Sequence, residues 1–220
     1  GQGGARVRLW APAASRVVLV RSGEGPDLGS FPMQVQDGGW FELELPRTQV
    51  RTDYAFSIDG GVVVPDPASR SNRNGVHGPS TLVDPSAFAW TDDAWRGRPW
   101  HEAVIYELHL GCFTPEGTFA AAIERLDALV ALGVTAIELM PVAEFAGRHG
   151  WGYDGVLPFA PKAAYGTPDD LRRLVCAAHQ RGLMVLLDVV YNHFGPDGNH
   201  LNAYAPGFFN PEVATPWGAA

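Results

Sequence analysis

The 220 residues carry 24 acidic and 16 basic side chains, a net charge of −8, and 46% of them are hydrophobic. That balance supplies a sizeable core and argues against nucleic acid or an anionic membrane surface as partner. No apolar run approaches the ~20 residues of a bilayer-spanning helix, and two cysteines, Cys112 and Cys176, set far apart without a metal-ligand spacing, read as free thiols of a reducing cytoplasm.

The chain begins within a strand pattern and shows no basic-then-apolar leader, so residues upstream and a cytoplasmic location are expected. Residues 5 to about 85 read as all-β. Arg6-Val7-Arg8-Leu9-Trp10 alternates and breaks at Pro12. Strands are predicted at 16–20, 40–45, 54–58 and 62–64, with a Gly/Pro-rich turn region between the first two of these. Asp59-Gly60-Gly61 is a strong hairpin signal. Short strands at this spacing suggest a β-sandwich of immunoglobulin-like type. Trp10 and Trp40 are assigned to packing in preference to stacking on sugar.

Residues 66–100 are punctuated by Asp66-Pro67, Gly78-Pro79, Asp84-Pro85 and Arg98-Pro99, with Trp90, Trp95 and Trp100 in the second half. Aromatics at that density predict an ordered connection that buries surface, with no flexible linker. The boundaries are set at 1–85 for the sandwich, 86–102 for the connection and 103–220 for the remainder.

From 103 the period changes. Residues 103–108 predict a strand. Thr118 caps a helix with Ile123, Leu126, Leu129 and Val130 on its apolar face, and Gly133 closes it. Residues 134–139 are the next strand, and a long Gly- and aromatic-rich insertion runs from about 143 to 166. Thr167 and Pro168 open a second helix as N-cap and N1, with Asp169 and Asp170 favouring its dipole; Leu171, Leu174, Val175 and Ala178 form its apolar face, Cys176 packs in it, and Gly182 ends it. The order β-α-β-(long loop)-α-β predicts a parallel sheet, barrel or open. Lys162 is the sole lysine, read as compositional bias.

The last strand, 183–187, is apolar on both faces and reads as buried. It ends at Asp188, with His193 five residues later and loop from Gly195 to Ala220. Polar residues where a parallel strand ends are where α/β enzymes place chemistry. An ionised Asp188 accepts hydrogen bonds only and must find a cation or donor. The alternative is a strand-capping Asp188 and a solvated His193.

Asp188-Val189-Val190-Tyr191-Asn192-His193 resembles the first characteristic region of the α-amylase superfamily of glycoside hydrolases. Residues 133–141 resemble that superfamily's second barrel strand. Trp151-Gly152-Tyr153-Asp154-Gly155 resembles the segment of branching and debranching relatives that supplies a sugar-stacking tyrosine. The run from Tyr106 to Phe119 resembles the trehalohydrolase family within the superfamily, and Tyr191 to His200 leans the same way. The resemblance implies an immunoglobulin-like β-sandwich followed by the first βα units of a (β/α)8 barrel, truncated after strand three.

It also implies a retaining α-glucan hydrolase, cleaving the bond next to a terminal trehalose of a maltooligosyltrehalose, with a glycogen branching or debranching enzyme as alternative. A non-catalytic saccharide-binding fragment is the alternative of another class. Retention needs two carboxyl groups ~5–5.5 Å apart. The family places its nucleophilic Asp after strand four and its acid Glu after strand five, both expected beyond residue 220, so no catalytic residue is assigned and the chain alone is expected to be inactive. The resemblance makes Tyr153, His193 and Asp154 substrate-binding residues, Asp154 doubling as a turn residue before Gly155. Asp188 orients an arginine from strand four, and Asn192 stands beside it. Asn192 is a calcium ligand in some α-amylases, but calcium takes six to eight oxygens and no such cluster is visible, so neither metal nor cofactor is expected. His109 and Glu138 are assigned to strands, facing the barrel interior. The partner is an α-1,4-glucan, and open sheet edges are expected to favour self-association.

Overall fold

Period-two alternation builds the N-terminal third of the molecule. The structure, a computed structural model, describes residues 4–22, 29–45, 52–210, 212–215 and 218–219. In β1 (Ala5–Trp10) Val7 and Leu9 are buried while Arg6 and Arg8 are exposed, as one buried sheet face requires. β2 (Val17–Ser22), β3 (Gly29–Pro32), β4 (Gln34–Gln36), β5 (Trp40–Leu45), β6 (Asp53–Ile58), β7 (Val63–Val64) and β8 (Ser80–Thr81) follow. They form two antiparallel sheets, β1-β5-β4 and β3-β2-β6-β7, with β8 paired to β6. Val7, Leu9, Val17, Leu19, Phe41 and Phe56 share the core between them, each worth ~1.5–3 kcal/mol on burial.

β3, β4 and β8 were not anticipated: they are two to four residues long, and β4 is exposed throughout, its central Val35 included. The β6–β7 turn follows its signal, with positive φ at Asp59 and Gly60. Asp59 Oδ1 accepts from Ser15 N and Arg16 N, at 2.9 and 2.7 Å. The turn region at 23–28 lies outside the described residues. Trp10 packs partly against the core, with its Nε1 donating to Gly38 O at 3.0 Å. Trp40 lies beneath the Arg8 guanidinium, 4.3 Å from its ring centroid.

The connection lies against both halves. Tyr54 Oη donates to Asp66 Oδ2 (2.5 Å), Thr81 Oγ1 donates to Asp53 Oδ1 (2.7 Å), and Arg73 pairs with Asp53 (3.0 Å). Burial pushes the Asp66 carboxyl and the Tyr54 phenol above their ordinary values. Further along, Trp95 stacks on His179 with centroids 4.6 Å apart, and the His179 Nδ1–H donates to Asp92 (2.6 Å). The tryptophans do not all bury surface, however. Trp90 is 45% and Trp100 66% exposed. The segment is ordered by polar ties, including Arg98 Nε to Gly182 O at 2.6 Å.

Three parallel strands follow, β9 (Ile105–Leu108), β10 (Ala136–Leu139) and β13 (Met184–Leu187), with β10 in the middle. α1 (Leu110–Phe113), α2 (Phe119–Ile123) and α3 (Leu126–Leu132) connect β9 to β10. The single helix expected after Thr118 is thus broken at Glu124–Arg125, where Arg125 N turns back to Ala122 O instead of one residue further. That tightening leaves Val130 40% exposed, while Phe119 and Ala122 are buried. Neither Gly nor Pro marks the break. The insertion expected as loop folds into a hairpin, β11 (Ala143–Phe145) with β12 (Gly155–Pro161). α4 (Pro168–Gln180) opens with a full capping box between Thr167 and Asp170. Leu108, Ile137, Leu139, Phe119, Leu126 and Leu174 meet in the second core.

Two further expectations are corrected. His109 lies beyond β9, as N-cap of α1, and is not on the strand. β13 is only partly buried among the described residues, where it borders the parallel sheet, and Leu187 is 46% exposed. The loop after β13 is also not free-running. Two 3-10 turns, Leu201–Ala203 and Pro206–Phe208, punctuate it. Between them Tyr204 enters the sandwich core at 1% exposure, its carbonyl accepting from Ala13 N at 3.1 Å. His77 and Asp197 close the same loop onto the connection at 2.8 Å. No helix among the described residues is long and apolar enough to cross a membrane.

Two predictions follow from this packing. Tyr204→Ala should cost ~3–5 kcal/mol, the scale of an emptied aromatic site, and speed hydrogen exchange in β1; an unchanged denaturation midpoint would show that the docking contributes nothing. Burial draws the Asp170 carboxyl up, but bonds from Thr167 and the charge of Arg173 outweigh it and hold it below its ordinary 3.8. Its stabilisation is therefore complete above that ordinary value and lost as pH falls through the lowered folded one. Asp170→Asn should flatten that acid limb in unfolding measured between about pH 2 and 5; an unaltered limb would contradict it.

Candidate functional site

Parallel pairing in register brings Leu108, Leu139 and Leu187 side by side as the last residues of their strands. The loops that follow therefore leave at one end of the sheet. One residue earlier, Glu107, Glu138 and Leu186 form a row on the face opposite the helices. Strand alternation continues that face to Asp188, whose amide donates to Leu139 O at 2.9 Å.

Tyr153 reaches this row from the loop between β11 and β12. Its phenol donates to Asp188 Oδ2 at 2.9 Å, supplying the donor that the carboxylate demanded. The Tyr153 carbonyl accepts from His193 Nε2 at 2.9 Å. A carbonyl only accepts, so Nε2 carries the proton of this bond and Nδ1 is left as the second polar atom of the ring. Asp188 and His193, 35 and 40 residues beyond Tyr153 in sequence, thus meet it at the ends of the strands. Tyr153 keeps 37% of its surface exposed, and Trp151 beside it is exposed.

Two glycines make the convergence sterically possible. Gly152 has φ +96, and a Cβ there would stand 2.0 Å from Pro141 O. A Cβ on Gly195 would stand 2.0 Å from Asp154 O, while the Gly195 amide donates to Gly155 O at 3.1 Å. The loop after β13 and the turn at Asp154 are pressed backbone to backbone. Asp154 itself is exposed, and its carboxylate makes no hydrogen bond or ion pair among the described residues; Asn192 is likewise exposed.

The electrostatics are one-sided. The Tyr153 phenol is held above its ordinary 10.0 by its bond to Asp188, then by burial, then by the negative charges of Asp188, Glu107 and Glu138. Glu107 went unread in the sequence, although its alternation with the apolar Leu108 and its equivalence to Glu138 are the signal that finds it. Glu144 and Lys162 were also missed as a pair. Both are buried, 2.7 Å apart, and losing one partner of such a pair costs ~3–5 kcal/mol. Among the described residues no three His, Cys, Asp or Glu side chains gather as a metal site requires.

The chain resembles known proteins over nearly its whole length. Residues 63–204 match the model of the alpha amylase catalytic domain, and residues 1–85 match carbohydrate-binding module 48, the isoamylase N-terminal domain. The chain is 49% identical over 218 residues to a malto-oligosyltrehalose trehalohydrolase of Deinococcus radiodurans, covering 99% of this chain and 35% of that protein. It is 48% identical over 217 residues to the protein of that name from Arthrobacter ramosus, covering 98% and 37%. A crystal structure described as a putative alpha amylase from Salmonella typhimurium superposes with a TM-score of 0.95 at 50% identity, covering 100% of this chain and 37% of that one. The chain thus spans about a third of the length of these relatives.

Replacing Asp188 by Asn keeps an acceptor but removes the charge. In Asp188→Asn the Tyr153 phenol should titrate closer to its ordinary value, read by NMR of a ring-labelled tyrosine. A titration unmoved by the substitution would show that the hydrogen bond does not set it.

Proposed function

The chain belongs to the alpha-amylase catalytic-domain family, and from that premise we propose that it is the N-terminal part of a retaining α-glucan hydrolase that releases trehalose from maltooligosyltrehalose. The observation that carries the reading is the meeting of Tyr153, Asp188 and His193 at the carboxyl ends of parallel strands. That end of a βα sheet is where catalytic loops gather. The relatives named as trehalohydrolases support the substrate class.

In this reading the Tyr153 ring offers an apolar face to the C–H side of a glucosyl ring, and the free Nδ1 of His193 meets a hydroxyl. Asp154, exposed at the same turn, faces the saccharide. Asp188 holds the Tyr153 phenol and orients an arginine contributed by a later strand, with Asn192 beside it. The acidic row of Glu107 and Glu138 adds to the demand for that cation. The nucleophile and the acid, which must stand ~5–5.5 Å apart for retention, belong to later strands of the same barrel. β9 and β13 are the outer strands of the described parallel sheet, and those later strands, or a second copy, pair with their free edges. The sandwich supports the barrel and contributes to α-glucan binding, as its module match suggests. The free thiols Cys112 and Cys176 fit a reducing cytoplasm.

The test uses the full-length protein with maltooligosyltrehalose. Trehalose release is expected; transfer of a glucan chain without trehalose would make it a branching enzyme, and binding without turnover a carbohydrate-binding protein. Tyr153→Ala should lower kcat by the equivalent of ~2–4 kcal/mol, the scale of one lost transition-state contact, with little change in Tm. Wild-type turnover with a lowered Tm would make the tyrosine a packing residue.

A further inference from the structure

Residues 147–152 carry the chain from β11 towards Tyr153, and three of these six are glycine. Such a segment does not hold an aromatic platform by its own stiffness. Two side chains from outside the segment hold its carbonyl oxygens instead.

The first is Lys162, at the end of the hairpin. Its buried ammonium donates to Gly147 O and Phe145 O, both at 2.8 Å, and to Glu144 Oε1 at 2.7 Å. All three of its donors are used. The second oxygen of Glu144 accepts from Ala163 N at 2.7 Å, so the pair is fastened to both sides of the hairpin. The ammonium also lies 4.4 Å from the Phe145 ring centroid. That ring fills the space beside Gly150, where a Cβ would stand 2.9 Å from it.

The second is His109, just past β9. Its Nε2–H donates to Gly150 O at 2.9 Å. Its Nδ1 is buried without a partner among the described residues, so the strong hydrogen bonds of the ring are all made through Nε2. Held at Gly147 and Gly150, the segment then passes Gly152 against Pro141 O and delivers Tyr153 to Asp188.

We infer that Lys162 and His109 are positioning residues for the reaction: they fix the Tyr153 ring in its productive orientation and so control turnover. The inference rests on the reading of Tyr153 as the glucosyl platform. Neither side chain bonds to Tyr153, Asp188 or His193 among the described residues; both act through the backbone of 147–152. A displacement of ~1 Å at a reacting site can cost up to ~100-fold in rate, and a glycine-rich segment released at either point allows that much.

The experiment is a set of double-mutant cycles in the full-length protein with maltooligosyltrehalose. One arm is Glu144→Gln with Lys162→Met, which removes both buried charges together and avoids stranding one of them. The other is His109→Phe, which keeps the ring and removes the donor, and serves where the first arm folds poorly. Each is measured alone and on a Tyr153→Ala background, for kcat, KM and Tm. On the wild-type background kcat should fall about 10- to 100-fold with KM little changed. On the Tyr153→Ala background the same substitutions should change kcat by less than about twofold, because the effect passes through that ring. Folded variants that keep wild-type kcat, or that lose equal factors on both backgrounds, overturn the inference and leave the platform standing. Wild-type turnover in Tyr153→Ala alone overturns the platform, and the inference with it.

Discussion

In-register parallel pairing of β9, β10 and β13 is the constraint on which the site depends. Because Glu107 pairs with Glu138 and Glu138 with Leu186, the three strands end level with one another. Asp188 then emerges beside the ends of the other two strands. A shift of one residue would turn Glu107 or Glu138 to the helix side and bring Leu108 or Leu139 to the inner face. The helix packing forbids that shift, since Leu108, Ile137 and Leu139 are all needed in the core beneath α2, α3 and α4. The acidity of the inner face is therefore a consequence of how the outer face is packed.

What the sheet leaves open, the loops close by backbone contact. Tyr153 and His193 are joined through a carbonyl, Gly195 and Gly155 through an amide, and Gly152 presses on Pro141. The glycines permit these close approaches at a cost in ordering entropy, and the contacts share the work of meeting it among several weak ties. The same loop then runs on to bury Tyr204 in the sandwich, so the N-terminal module and the site loop are parts of one folded unit. The connection between them adds its own ties, from Asp53 and Asp66 on one side to His179 and Gly182 on the other.

Much of this was legible in the residues, for identifiable physical reasons. Alternation in Arg6-Val7-Arg8-Leu9 and the capping pattern at Thr167-Pro168 are local signals, and the local structure follows them. Asp188 advertised its need for a donor simply by being ionised at the end of an apolar strand. The break at Glu124–Arg125 left no trace because the hydrogen-bond tightening involves neither Gly nor Pro. Trp90 and Trp100 misled because aromatic density implies burial only when something lies above the ring. Lys162 was set aside as composition, although a lone lysine between Pro161 and Ala163 in an apolar stretch needs a carboxylate, and Glu144 stood in the equally apolar strand opposite. The hairpin they pin was read as loop because its two strands are unequal in length and irregular in register.

The central claim is that the convergence of Tyr153, Asp188 and His193 is a saccharide platform. Its most direct test is a crystal structure of the full-length protein with a bound maltooligosaccharide. The account predicts a pyranose ring lying flat over the Tyr153 ring, ~4 Å from it as van der Waals contact requires, with a hydroxyl at His193 Nδ1. A saccharide held elsewhere, with the Tyr153 ring turned away and His193 bonded only to the protein, would contradict it.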